Sequence, residues 1–133
     1  MRRTRVLVVD DEPLVASAAR RLLSREHEVQ VAHSGPAALA LLDDGRFDAV
    51  LCDIMMPQMT GLELHARLSS TQPEVAARMV FLTGGVFDAC AERFLQEHSR
   101  WCMGKPFEPG ALLALVAERI ATADALAPCR RMV

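Results

Sequence analysis

One stretch of the chain reads Phe47-Asp48-Ala49-Val50-Leu51-Cys52-Asp53, an apolar run that ends in a carboxylate. A second apolar run, Val6-Leu7-Val8-Val9, ends in Asp10 and Asp11. Short runs of this kind, rich in β-branched residues, are typical of buried strands. A carboxylate at the end of such a strand needs a partner, because an unpaired charge is costly away from water. If the two strands lie side by side and parallel, three carboxylates meet at one edge of a sheet.

The composition is that of one globular domain. A chain of 133 residues can bury an ordinary core, and its apolar fraction of 51% is sufficient to form one. The net charge of −2 gives no reason to expect direct nucleic-acid binding, and no apolar run approaches the ~20 residues that span a membrane. The four cysteines form no Cys-x-x-Cys pair, so we interpret them as reduced thiols of a cytoplasmic protein. The four histidines show no metal-ligand spacing and are interpreted as surface or boundary residues.

Strand and helix patterns alternate along the chain. We predict strands over residues 5–10, 28–32, 48–53, 78–83 and 101–103. A helix with apolar residues on one face follows each strand, and Asp11 is the expected N-cap of the first. This alternation predicts a doubly wound α/β fold, a five-stranded parallel sheet with right-handed crossovers. The domain is expected over residues 1–121, with a loosely ordered tail over 122–133.

Polar residues follow four of the five predicted strands. Asp10 and Asp11 end the first, Asp53 ends the third, Thr83 ends the fourth, and Lys105 follows the fifth. Ligands of an open parallel sheet bind beyond these carboxyl ends. Clustered carboxylates repel one another unless a cation lies among them, and Mg²⁺ is the expected cation because it prefers oxygen ligands. A metal ion, a lysine and a hydroxyl together suit a phosphoryl group, and a carboxylate can be its acceptor.

Each of these residues also has an ordinary structural interpretation. Asp11 fits a helix N-cap, and Asp53 fits an Asx-type turn. Thr83 is a good strand former, and Lys105 fits an exposed loop. One shared site explains all five residues at the same edge of the sheet.

The motifs around these residues resemble the receiver domain of bacterial two-component response regulators. The resemblance covers about residues 5–121, and its motifs are Val8-Val9-Asp10-Asp11-Glu12-Pro13, Asp53-Ile54-Met55-Met56-Pro57-Gln58-Met59-Thr60-Gly61, Phe81-Leu82-Thr83-Gly84 and Lys105-Pro106-Phe107. It implies a flavodoxin-like (βα)5 fold with strand order 2-1-3-4-5. It also implies a cis Lys105–Pro106 bond.

The resemblance implies a role for each site residue. Asp53 accepts a phosphoryl group from a histidine kinase or a phosphotransfer protein. Asp11, Asp53 and the backbone carbonyl of Met55 hold Mg²⁺, whereas Asp10 acts through a metal-bound water. The phosphoryl oxygens are bound by Thr83 and Lys105.

The same resemblance implies a signalling role. The chain is a phosphoacceptor and not an enzyme beyond self-catalysed phosphorylation and dephosphorylation. A downstream protein is expected to contact the fourth helix, the fifth strand and the fifth helix, with no direct nucleic-acid or membrane partner. Both a stand-alone regulator and a receiver from a hybrid sensor histidine kinase fit the motifs.

One position departs from the family's pattern. The aromatic residue that usually lies three residues before the lysine is replaced by Cys102, and Trp101 is expected to face the other side of the strand. We hypothesise that a smaller rearrangement, carried by Gly84-Gly85 and the next helix, transmits phosphorylation.

Two alternatives stay open. A degenerate receiver would bind partners without phosphorylation; the presence of all five site residues argues against it, and Cys102 keeps it open. A Mg²⁺-dependent phosphohydrolase would use an aspartyl nucleophile. Such enzymes of the haloacid-dehalogenase type need a second aspartate where this chain has Met55.

Overall fold

Five strands form one parallel sheet in the computed structural model, which describes residues 3–84 and 89–125. They are β1 (Arg5–Val9), β2 (Glu28–Ala32), β3 (Ala49–Asp53), β4 (Met79–Thr83) and β5 (Cys102–Gly104). Their order is β2-β1-β3-β4-β5, and each neighbouring pair is parallel. The predicted fold class and strand order are therefore confirmed. Trp101 lies in a 3-10 turn just before β5 and not in the strand itself.

Helices connect the strands and cover both faces of the sheet. They are α1 (Pro13–Leu23), α2 (Gly35–Asp44), α3 (Gly61–Thr71), α4 (Pro73–Ala76), α5 (Ala89–Glu97) and α6 (Pro109–Ala125). The short α4 was not predicted, so α5 and α6 correspond to the predicted fourth and fifth helices. Residues 86–88, which were expected to begin the fourth helix, lie outside the described residues.

The side chains of β3 show how the sheet is buried. All five residues of this strand are buried. Val50 and Cys52 belong to the apolar layer that contains α3, whereas Ala49 and Leu51 belong to the layer that contains α1 and α6. Successive side chains of a strand point to opposite faces, so a strand covered by helices on both sides is apolar throughout. This explains why the carboxylate of Asp53 stands out in the sequence.

The predicted N-cap of α1 is wrong. The helix begins at Pro13, so Glu12 and not Asp11 is the N-cap residue, and its side chain makes no capping hydrogen bond. Proline suits the first helical position because its φ is fixed and its missing N–H needs no acceptor there. The backbone N–H of Glu12 donates to Asp10 Oδ1 at 2.9 Å. The Asp11 carboxylate is therefore available to the cluster at the sheet edge.

The predicted tail begins too early. Helix α6 continues to Ala125, where residues 122–125 were expected to be loosely ordered. Ala123 is buried, and Asp124 Oδ1 accepts a hydrogen bond from Arg78 Nη2 at 2.8 Å. The remainder of that tail, residues 126–133, lies outside the described residues.

Candidate functional site

Three carboxylates converge at the carboxyl edge of the sheet, as predicted. The pairing of Val9 with Cys52 aligns the ends of β1 and β3. One oxygen each of Asp10, Asp11 and Asp53 lies within 4.8 Å of the others. Asp10 and Asp53 are almost fully buried, with side chains that are 1% and 3% exposed. Two buried charges at this distance require a positive partner.

Lys105 provides that positive charge. Its Nζ lies 3.0 Å from Asp53 Oδ2, 3.1 Å from Asp10 Oδ2 and 2.9 Å from Glu12 Oε1. The loop is held in place by the Lys105 N–H, which donates to Thr83 O at 2.7 Å. The Lys105–Pro106 bond is cis, as expected. The sequence identified Lys105 and two of its partners but not Glu12, although Glu12 directly follows the aspartate pair.

Burial controls the electrostatics of Asp53 and Lys105. Desolvation raises the pKa of Asp53, and the nearby charge of Asp10 raises it further. The Lys105 ammonium and a hydrogen bond from the Met55 N–H, 3.2 Å from Asp53 Oδ1, act in the opposite direction. Burial lowers the pKa of Lys105, but its hydrogen bonds to Glu12, Asp53 and Asp10 outweigh this effect and raise the pKa overall. Lys105 is therefore fully protonated at neutral pH.

Thr83 lies at the end of β4, where the sequence placed it, and its hydroxyl is turned toward the neighbouring strand β5. Its Oγ1 donates a long hydrogen bond to Met103 O, at 3.5 Å, in the neighbouring strand. The side chain is partly exposed. Its role toward a phosphoryl oxygen therefore stays a prediction.

The carboxylate cluster fits a divalent cation. The Oδ1 atom of Asp11 is shielded from solvent, yet it has no hydrogen-bond partner within residues 3–84 and 89–125. A buried oxygen of this kind usually has a partner, and a cation would supply one. Carboxylate oxygens are the ligands that Mg²⁺ prefers. Asp10, Asp11 and Asp53 therefore form a suitable donor set, while the Met55 carbonyl and a water on Asp10 stay predicted additions.

Comparison with known proteins identifies the domain. The model of the response regulator receiver domain family matches residues 6–117. The chain belongs to this family. The receiver domain is 35% identical over 117 residues to Response regulator MprA of Mycobacterium avium (strain 104), covering 83% of this chain and 48% of MprA. It is 33% identical over 122 residues to Sensor kinase CckA of Brucella abortus (strain 2308), covering 90% of this chain and 13% of CckA.

A solved structure gives the same result. The signal receiver domain of an HD domain-containing protein from Pseudomonas fluorescens Pf-5 matches with a TM-score of 0.82 at 25% identity, covering 93% of this chain and 99% of that one. The chain spans 35% to 48% of the length of the curated regulators that it matches. Family membership assigns this receiver domain to two-component signalling, in which such domains are phosphoacceptor switches. None of its helices within the described ranges is both long and apolar enough to cross a membrane.

The loop after Asp53 is held against the end of β3 by a glycine. A Cβ atom at Gly61 would lie 2.6 Å from the Asp53 carbonyl oxygen and 2.8 Å from Ile54 Cα. Since both contacts are with backbone, only glycine allows this close approach. Helix α3 begins here with a capping box, in which Thr60 and Glu63 exchange side-chain and backbone hydrogen bonds. The two devices fix the loop that leads away from Asp53.

Cys102 lies beside a group of four rings that the sequence did not reveal. The cysteine pairs with Phe81 across β4 and β5, and its Sγ donates to His98 O at 3.1 Å. Burial raises the pKa of this thiol to about 11. The centroids of the neighbouring rings are 4.3 to 6.1 Å apart, and the ring cluster consists of His65, Phe81, Phe94 and His98. His65 lies in α3, Phe81 in β4 and Phe94 in α5, and His98 directly follows α5, so only tertiary structure brings them together.

Trp101 is buried in the 3-10 turn before β5 and packs against two arginines. Its ring lies between two guanidinium groups, with Arg100 Cζ at 4.5 Å and Arg119 Cζ at 4.4 Å from the centroid. Arg119 belongs to α6, which packs on the other apolar layer. Cation–π contacts of this kind hold a tryptophan in place. Trp101 therefore joins β5 to α6.

Proposed function

We propose that this receiver domain is a phosphoryl-accepting switch whose acceptor is Asp53. The supporting observation is that Asp10, Asp11 and Asp53 lie together at the carboxyl edge of the sheet, with Lys105 Nζ 3.0 Å from Asp53 Oδ2. The donor is a phosphohistidine of a histidine kinase or a phosphotransfer protein, the partner class that family membership implies. We place the reaction in the cytoplasm.

The transfer forms one bond and breaks one. An oxygen of Asp53 attacks the phosphorus, and the P–N bond of the donor breaks. The electron pair stays on the imidazole nitrogen, which takes up a proton from solvent. A Mg²⁺ ion held by Asp10, Asp11 and Asp53 would supply the charge neutralisation that phosphoryl transfer needs. Lys105 binds one phosphoryl oxygen, and the Thr83 hydroxyl turns from Met103 to bind another.

The two alternatives each lack support at a specific residue. A degenerate receiver has no need of a buried acidic cluster with a lysine, and here every member is present. A phosphohydrolase of the haloacid-dehalogenase type needs an acid two residues after the nucleophile, where Met55 offers only a thioether. A phosphoacceptor uses all the residues of the site.

The output surface is part of the same proposal. We place the contact with a downstream protein on α5, β5 and α6, with no direct contact to nucleic acid or membrane. Trp101 links β5 to α6 on one side, and the ring cluster links β4 to α5 on the other. A movement of Thr83 at the end of β4 could therefore be transmitted to this surface through either of these two sets of packed side chains.

Phosphoryl labelling with acetyl phosphate and Mg²⁺ tests the proposal. Wild type and Asp53→Asn are incubated with the donor, and the phosphoryl group is detected by intact-protein mass spectrometry. Asp44→Asn is the matched control, because this exposed carboxylate ends α2, at the amino-terminal ends of the strands and away from the carboxylate cluster. Label is expected on wild type and Asp44→Asn and not on Asp53→Asn. Absence of label on wild type would favour the degenerate receiver that binds partners without phosphorylation. Steady release of phosphate from phosphate esters would favour the phosphohydrolase.

A further inference from the structure

The site contains the only lysine of the sequence. All other basic side chains among the 15 Lys and Arg residues are arginines. An ammonium group has three N–H donors. Three carboxylate oxygens surround it here, at 2.9 Å from Glu12, 3.0 Å from Asp53 and 3.1 Å from Asp10, and the contact with Glu12 Oε1 is a hydrogen bond. A phosphoryl oxygen that binds Lys105 therefore takes the place of one of these carboxylates.

The three partners differ in how readily they can be displaced. The side chains of Asp10 and Asp53 are buried, whereas that of Glu12 is 59% exposed. A buried carboxylate that loses its cation keeps an uncompensated charge, which is costly. An exposed carboxylate is solvated when it is released, and ion pairs of this kind contribute little to stability. Glu12 is therefore the partner that a phosphoryl oxygen displaces from Lys105.

The backbone of Glu12 is fixed while its side chain can swing. Its N–H donates to Asp10 Oδ1 at 2.9 Å, which holds the residue at the start of α1. The side chain makes no capping hydrogen bond that its release would break. The carboxylate can therefore leave Lys105 without disturbing the helix or the acidic cluster.

We propose that Glu12 is a positioning residue that holds Lys105 in the unphosphorylated protein and is replaced there by a phosphoryl oxygen. This inference rests on the proposed function. Glu12 forms and breaks no covalent bond, since one hydrogen bond from Lys105 is exchanged for another. Until the exchange, its negative charge lies at the entrance to Asp53 and repels anionic donors. Glu12 therefore slows phosphorylation by small anions that make no other contact with the domain.

Labelling rates test the charge effect. Glu12→Gln keeps the shape of the side chain and removes its charge. With acetyl phosphate and Mg²⁺ at low salt, its second-order rate constant should exceed that of wild type by about fivefold, the size expected for an exposed ion pair. The difference should shrink at high salt because exposed charges are screened. Glu12→Asp, which keeps the charge, should stay closer to wild type than to Glu12→Gln.

Glu97→Gln is the matched control, because this exposed glutamate ends α5, at the amino-terminal ends of the strands and away from Asp53. It removes the same charge and should label at the wild-type rate. An equal rise in this variant would overturn the inference, because net charge alone would then explain the rate. Equal rates for Glu12→Asp and Glu12→Gln would also overturn it.

The lysine itself gives a readout that does not depend on phosphorylation. Protein labelled with ¹⁵N-lysine has one side-chain ammonium signal, which belongs to Lys105. In Glu12→Gln the protons of this group should exchange with water faster than in wild type, because one of three charged acceptors is lost. An unchanged signal and an unchanged labelling rate, with wild type still labelled on Asp53, would overturn this inference alone. Absence of label on wild type would instead overturn the proposed function.

Discussion

Asp53 shows how one residue combines burial and charge. Its side chain is 3% exposed, and burial raises its pKa, yet a phosphoacceptor has to be ionised to attack phosphorus. Lys105, 3.0 Å away, favours the ionised form. The charge of Asp10 disfavours the ionised form of Asp53, and a cation bound between the two carboxylates would offset this effect. In the proposed function, the neighbours of Asp53, and not exposure to water, favour the ionised form that the reaction needs.

His27 is a second ionisable residue in the interior. We interpreted the histidines as surface or boundary residues, but this one is 6% exposed and its Nδ1 contacts Thr4 Oγ1. Its Nε2 is buried and has no hydrogen-bond partner among the residues that the structure describes. Burial lowers the pKa of His27, and Arg3 adds to this effect, while Glu26 and Asp48 act in the opposite direction. The folded protein therefore holds His27 neutral.

Stability should fall on mild acidification because of this residue. The unfolded chain takes up a proton on His27 near its ordinary pKa of 6.5, whereas the folded chain does so only at lower pH. The stabilisation is complete above the ordinary value and is lost as pH falls through the folded one. In urea titrations at about pH 7.5 and about pH 5.5, the loss should be smaller in His27→Gln than in wild type.

The slope of His27→Gln need not vanish, since burial and the charge of His98 also lower the pKa of His65. Identical slopes for His27→Gln and wild type would contradict the explanation.

Individual elements differ in how locally they are specified. Helix α3 begins at a capping box within four consecutive residues, Thr60 to Glu63, and β3 is apolar up to its last residue, Asp53. Signals of this kind are readable in the sequence. The end of α6 is specified at long range, because Asp124 pairs with Arg78 before β4. Arg78 is nearly buried and also donates to Asp48 O at 3.2 Å.

The last turn of α6 should contribute to stability. A chain that ends at Ala121 loses the burial of Ala123 and the carboxylate that pairs with Arg78. Its free energy of unfolding should be lower than that of a chain ending at Ala125 by about 2 kcal/mol, because the nearly buried guanidinium of Arg78 loses a charged partner. Urea denaturation of the two chains measures the difference.

A single substitution separates the ion pair from the packing. In the chain that ends at Ala125, Asp124→Asn should lower the free energy of unfolding by part of the difference between the two truncated chains, since it removes the charge that pairs with Arg78 and keeps the burial of Ala123. Equal stability of the two truncated chains would show that the domain ends at residue 121, as the sequence suggested.

At the scale of the whole molecule, the sheet connects Asp53, the proposed phosphoacceptor, to β4 and β5. Thr83 ends β4, and its neighbour in β5 is Gly104, one residue before Lys105. Cys102 occupies the place where the family usually has an aromatic residue, and the ring cluster packs beside it. A smaller rearrangement through Gly84-Gly85 therefore remains our hypothesis, although residues 85–88 lie outside the described part of the chain.

Crystal structures with and without beryllofluoride, a phosphoryl mimic, should reveal this rearrangement. Segment 84–88 and the start of α5 are expected to shift when the mimic binds to Asp53, while the ring cluster keeps its packing. Asp53→Asn in the same buffer is the control and should show no shift. An unmoved segment 84–88 in the beryllofluoride form would rule out the hypothesis.

The sequence by itself determined the order of elements, the parallel sheet and the acidic residues at its edge. These features follow from local hydrophobic periodicity and from strands that end in carboxylates, so short stretches of sequence are enough to predict them. Only the tertiary structure decided that Glu12 binds Lys105, that Asp11 caps no helix and that Asp124 extends α6. The contacts of Glu12 and Asp124 depend on distances between side chains far apart in the chain, which are set by packing, whereas the position of Asp11 depends on where α1 begins.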